Sequence, residues 1–146
     1  MRAASLFSIA RGSMKILICD DEQTYLNTLR IHVEEYMLNH HIPCTVTALT
    51  DPTKVAIDTA VFDLAFLDIQ MPGINGIDAM KEIKKSNSST VFIVMSAYDK
   101  FDYAQEAISL GVLEYITKPM ERKRILAVLK KAMEIIDLSL IHISEP

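Results

Sequence analysis

At 146 residues the chain has the size of one ordinary domain with a single core. Its hydrophobic share is 50%, yet no apolar stretch reaches the ~20 residues of a membrane span, so the apolar content belongs to a core and no membrane role is expected. A formal net charge of -4 leaves no basic footprint for nucleic acid, and two cysteines, Cys19 and Cys44, without metal-ligand spacing exclude a disulfide scaffold.

Residues 1–13 carry one early Arg, a short apolar run and a Ser-x-Ala, so a signal peptide is one reading. The favoured expectation is a vector-derived leader with Met14 as the natural start, since everything downstream reads as cytoplasmic. Lys15–Cys19 is a short apolar run ending in Asp20-Asp21-Glu22, which is the pattern of a buried strand. Leu26, Leu29, Val33, Tyr36 and Met37 then fall at helical spacing from Glu22 to about Asn39. Pro43 ends that region and Thr45–Ala48 makes a second strand. Asp51-Pro52 is a helix-start signal, opening a short helix to about Thr59.

Asp63–Leu67 is a third strand that delivers Asp68 into a Pro72-Gly73 turn. Asn75-Gly76 leads into a helix with Ile77, Met80 and Ile83 inward. Thr90–Met95 is a strand ending at Ser96, Asp99 caps a fourth helix, and Gly111 closes it as a C′ glycine. Val112–Ile116 is the fifth strand, followed by Thr117-Lys118-Pro119 and a fifth helix from about Met120 to Leu138. Strands alternating with helices require right-handed crossovers, hence an α/β, doubly wound, five-stranded parallel sheet. Residues 139–146 read as a linker start or a vector-derived tail, leaving 14–138 as the domain. Cys19 and Cys44 fall at opposite ends of neighbouring strands, too far apart for a disulfide, and are expected to be buried, reduced thiols. Adjacent His40 and His41 show no metal-site spacing.

A carboxylate at the end of a buried strand must be paired, protonated or metal-bound, because an isolated buried charge is very costly. In an open α/β sheet the strand C-termini share one edge, where ligands bind. Asp20, Asp21, Asp68, Ser96 and Lys118 all arrive there. Three acids against one ammonium call for a divalent cation, and all-oxygen ligands favour Mg²⁺. Asp68 can then act as nucleophile on a phosphoryl group, with Mg²⁺ and Lys118 neutralising the transferred oxygens and Ser96 donating to one of them.

CDDE after the first strand, LDIQMPGINGI, MSAYD and YITKP, in this order, resemble the receiver domain of two-component response regulators over about Met14 to Asp137. The resemblance implies a (βα)5 flavodoxin-like fold with strand order 2-1-3-4-5. It makes Asp68 the phosphoacceptor, Asp21 and Asp68 direct Mg²⁺ ligands, Asp20 a ligand largely through water, and the main-chain carbonyl of Gln70 a further ligand. Ser96 and Tyr115 would be the switch pair, Lys118 would hold the phosphate, and Lys118-Pro119 would be a cis bond. Gln70 and Tyr98 occupy positions that tune dephosphorylation, and their bulk points to a slow loss of the phosphoryl group.

The implied function is a signalling switch, phosphorylated by a sensor histidine kinase or phosphotransfer protein and turning over no external metabolite. A phosphorylation-independent binding module is the alternative, and it predicts loss of one or more site residues; none is lost. A Mg²⁺-dependent phosphohydrolase would need a second acid two residues after the nucleophile, where this chain has Gln70. Asp20-Asp21 could also merely cap the first helix. The basic run Arg122-Lys123-Arg124 with Lys130 and Lys131 reads as a solvated helix face, or as a partner surface for homodimers formed by the fourth helix, fifth strand and fifth helix.

Overall fold

The computed structural model describes residues 12–51, 61–71, 75–97 and 101–144, with the side chains of 101 and 138–144 left aside. Along the chain run β1 (Met14–Cys19), α1 (Gln23–Asn39), β2 (Cys44–Leu49), β3 (Leu64–Asp68), α2 (Gly76–Ser86), β4 (Val91–Ser96), α3 (Phe101–Ser109), β5 (Glu114–Thr117) and α4 (Arg122–Ser144). The strands pair in parallel in the order β2-β1-β3-β4-β5. The helix expected from Asp51-Pro52 to Thr59, Pro72-Gly73, Tyr98, the Asp99 cap and residues 1–11 lie outside the described residues.

The strand sequences explain the two-sided core. Met14, Ile16 and Ile18 of β1 join Leu26, Leu29 and Val33 of α1 and Ile125, Val128 and Leu129 of α4 in one apolar layer. Leu17 and Cys19 face the other way, into a second layer with Ile77, Met80 and Ile83 of α2 and Ala107 of α3. Both faces of the central strands are covered, which is why they read as unbroken apolar runs rather than alternating ones.

Helix ends follow local chemistry. The Asn75 side chain accepts from the Asp78 amide at 2.9 Å and caps α2, a bond worth about 1 kcal/mol. At the end of α3, Gly111 takes φ +85, its amide donates to the Ile108 carbonyl, and the Val112 amide donates to the Ala107 carbonyl. That closure consumes residues 111–113, so β5 begins at Glu114, two residues later than the apolar run suggested. α1 closes in the same manner, but the left-handed position is His41 with φ 56. His40 stacks on Tyr36 with ring centroids 4.0 Å apart, and its Nδ1 bonds the Tyr36 carbonyl. The two histidines thus finish a helix. α4 runs to Ser144, past the expected end at Leu138, since no Gly or Pro interrupts residues 122–144.

Gly76 shapes the edge that matters. It is the first residue of α2, and a Cβ there would overlap the Asp68 carbonyl oxygen and crowd the Asp68–Ile69 backbone. Its amide donates to the Ile69 carbonyl at 2.9 Å. Only a residue without a Cβ lets α2 start against the peptide that follows Asp68.

Candidate phosphoryl and metal site

After β1 the chain turns to β2 on one side, and it returns to β3 on the other, so the loops leaving β1 and β3 diverge at a topological switch point. Asp20 and Asp21 lie at one lip and Asp68 at the other. One carboxylate oxygen from each of the three lies within 4.8 Å of the others. Asp20 is fully buried, Asp68 is 3% exposed, and Asp21 faces solvent.

Lys118 reaches this crevice from the end of β5. Its backbone amide donates to the Ser96 carbonyl at 2.7 Å, fixing the chain before the cis Lys118–Pro119 peptide. Its Nζ donates to Asp20 Oδ2 at 2.8 Å and to Asp68 Oδ2 at 3.3 Å, and Glu22 Oε1 stands 3.7 Å away. Nζ also sits 4.7 Å from the centroid of the Tyr25 ring. Burial would lower the lysine pKa, but the bonds to Asp20 and Asp68 outweigh it and hold the ammonium charged.

The two buried acids are not equivalent. Asp20 receives the short lysine bond and, through Oδ1, the Glu22 amide at 2.9 Å. Among the described residues Asp68 receives only long bonds, 3.3 Å from Lys118 and 3.4 Å from the Gln70 amide, against about 2.7–2.9 Å for a strong charge-assisted bond. Its pKa is pushed up to about 6, first by burial and then by the neighbouring Asp20 charge, with Lys118 and the Gln70 amide opposing. Neither Asp20 nor Asp21 caps α1, whose N-cap is Glu22 with no side-chain bond to the helix.

Ser96 is buried at the end of β4, one residue past the β4 partner of Asp68, Met95. Tyr115 lies half-buried on β5, opposite Val94, packed on the α2–α3 side of the sheet. Gln70 is half-buried two residues after Asp68. The Cys19 thiol, next to Asp20, is pushed up to about 12, chiefly by burial, which makes it a poor nucleophile. Cys44 sits opposite Met14 at the far end of β1 and is only partly buried, because β2 is an edge strand. Of the basic run on α4, Arg122 pairs with Glu35, while Arg124 and Lys131 both pair with Glu114.

Two contributors carry little signal in the sequence. Tyr25 lies on the helix expected from Glu22 to Asn39 but off its apolar stripe, and Gly76 follows Asn75 where the next helix begins. A glycine directly after a good N-cap is a costly choice for a helix, and that cost was the available clue.

The response regulator receiver domain profile matches residues 16–130. The chain belongs to the response regulator receiver family. Receiver domains are signalling switches within response regulators. This one is 30% identical over 124 residues to the transcriptional regulatory protein ZraR of Salmonella typhimurium, covering 84% of this chain and 27% of ZraR. The sensory transduction protein LytT of Bacillus cereus is 30% identical over 121 residues, 81% of this chain and 46% of LytT. The chain therefore spans less than half the length of these curated relatives. Among solved structures, the receiver domain of the response regulator AraT from Geobacillus stearothermophilus superposes with a TM-score of 0.73 at 30% identity, over 86% of this chain and 97% of that one. The BeF3-activated DrrB receiver domain shares the fold, with a TM-score of 0.68 at 21% identity over 84% and 98% of the two chains. No helix of the described residues is long and apolar enough to cross a membrane.

Proposed function

We propose that Asp68 of this receiver domain accepts a phosphoryl group from a sensor histidine kinase or phosphotransfer protein, with Mg²⁺ as cofactor, and that the chain acts as a phosphorylation-controlled cytoplasmic switch. One observation carries the reading. Asp68 is a buried carboxylate whose only bonds among the described residues are long, beside an acid that has taken the better share of the lysine.

The donor set suits a hard divalent cation, since it is all oxygen and more negative than Lys118 can balance. Asp20, Asp21 and Asp68, with the main-chain carbonyl of Gln70, are the residues that would hold it. Bound Mg²⁺ supplies positive charge to the oxygens of the transferring phosphoryl group. The remaining work falls to the protein. An Asp68 carboxylate oxygen bonds to phosphorus as the donor's phosphorus–nitrogen bond breaks, and the imidazole keeps that electron pair. Lys118 turns from Asp68 Oδ2 to a phosphoryl oxygen, and Ser96 donates its hydroxyl to another. The site then carries roughly two negative charges where it carried one. Moving Ser96 leaves room for the half-buried Tyr115 ring to turn inward, and Gln70 crowds the path of a hydrolytic water.

All five residues of the site are present, which favours this reading over a phosphorylation-independent binding module. Gln70 in place of an acid disfavours a phosphohydrolase. A homodimer through α3, β5 and α4 would have to exchange or bridge the Glu114 pairs with Arg124 and Lys131.

Intact-mass measurement after incubation with acetyl phosphate and Mg²⁺ tests the proposal. The expected result is one phosphoryl adduct on the native chain, none with Mg²⁺ chelated and none on Asp68→Asn. No adduct on the native chain, or an equal one on the variant, would falsify it.

A further inference from the structure

We propose that Tyr25 is a positioning residue for Lys118, holding the ammonium at Asp68 with the face of its ring. The inference rests on the phosphoacceptor reading of Asp68 and adds a residue to it. Tyr25 belongs to the first turns of α1, and its ring centroid lies 4.7 Å from Lys118 Nζ. An ammonium has three N–H donors. Asp20 and Asp68 take two of them, and the ring face takes up the remaining positive charge.

The competitor is Glu22. Its carboxylate is 65% exposed and 3.7 Å from the same Nζ, and it lies on the solvent side of the crevice. A lysine on a four-carbon stem settles where its charge is best met, and without the ring the balance shifts toward Glu22 and away from Asp68. The contact is desolvated, with the Lys118 side chain only 6% exposed, and there a cation–π interaction is at its strongest.

The hydroxyl of Tyr25 plays no part in this hold. Its oxygen is buried without a hydrogen-bond partner among the described residues. The Met120 amide approaches it without completing a hydrogen bond. Removing the hydroxyl therefore removes nothing that Lys118 uses, whereas removing the ring does.

The experiment compares Tyr25→Phe and Tyr25→Leu with the native chain, reading both phosphorylation rate from acetyl phosphate at saturating Mg²⁺ and the ¹H–¹⁵N signal of the Lys118 ammonium. Tyr25→Phe is expected to phosphorylate within about twofold of the native rate, and Tyr25→Leu roughly three- to thirtyfold more slowly. The protected ammonium signal should persist in native protein and Tyr25→Phe and broaden into solvent exchange in Tyr25→Leu. Equal losses in both variants, or an ammonium signal in Tyr25→Leu as sharp as native, overturn the proposal. If the native chain takes up no phosphoryl group, the Asp68 reading fails, while the ammonium signal still decides the role of Tyr25.

Discussion

Asp63 precedes β3 and Asp68 ends it, five residues apart at opposite ends of the sheet, and both are buried. At the N-terminal end, Asp63 Oδ2 accepts the Lys15 amide at 2.9 Å, its own amide donates to the Lys15 carbonyl, and its carbonyl accepts the Val91 amide. It ties the starts of β1, β3 and β4 together. Phe62 next to it receives the Thr90 hydroxyl at 2.6 Å and the Asn87 side chain at 3.2 Å. At the C-terminal end, Asp68 faces a second buried acid and a lysine that leans toward that acid. A buried carboxylate met by a backbone donor at full bond length serves the fold. One placed beside a like charge with only long bonds is destabilised as it stands, and that energy becomes available to a ligand or a new bond.

The comparison can be broken most severely at Gly76, which lets α2 reach the Asp68 peptide. Gly76→Ala is expected to cost about 3 kcal/mol or more, since the new Cβ meets backbone rather than a side chain that can turn aside; a urea midpoint equal to native would refute the close approach. At the opposite end, Asp63→Ala should cost about 2 kcal/mol by leaving the Lys15 amide without its acceptor. Phosphoryl uptake at Asp68 should survive in the folded fraction, and its loss would mean that the two ends are coupled.

Removing charge at the other aspartate should do the opposite. Asp68 in the folded protein holds its proton up to about pH 6, above the ordinary carboxylate range. The native state thus binds more protons than the unfolded chain between roughly pH 4 and 6, and metal-free protein loses stability as pH rises through that window. Asp68→Asn should flatten that slope and raise stability at pH 8 by on the order of 1–2 kcal/mol. Thermal melts of both proteins across pH 4–8 in chelator check this, and a variant less stable than native at pH 8 contradicts it. Adding Mg²⁺ should raise the Tm of the native chain far more than that of Asp68→Asn.

The smallest effect belongs to the end of α1. His41→Gly relieves a left-handed backbone at φ 56 and should stabilise by about 0.5–1 kcal/mol without altering phosphorylation. Destabilisation would show that the His41 side chain has a role of its own.

Much of this protein lies open in its sequence because the signals are local. Apolar runs bounded by turn residues mark the strands, helical spacing marks Leu26 to Met37, and Gly111 marks the end of α3 by its lack of a Cβ. Once strands alternate with helices, the parallel sheet follows, and with it the convergence of Asp20, Asp21, Asp68, Ser96 and Lys118 on one edge. The family pattern in CDDE, LDIQMPGINGI, MSAYD and YITKP adds the order of the strands. Those features depend on neighbours within a few residues, or on a rule that every open α/β sheet obeys.

Tertiary structure alone decided how the charges share their partners. Lys118 and Asp20 are 98 residues apart in sequence, and Asp63 and Lys15 are 48 apart, so their distances depend on register and on the depth of each side chain. The preference of the ammonium for Asp20 over Asp68, the Tyr25 ring beneath it and the approach of Gly76 to the Asp68 carbonyl arise only when segments distant in the chain meet. The sequence determines that a carboxylate stands at the end of β3. Packing decides that it stands there poorly compensated, because burial and a neighbouring like charge are properties of a place in space.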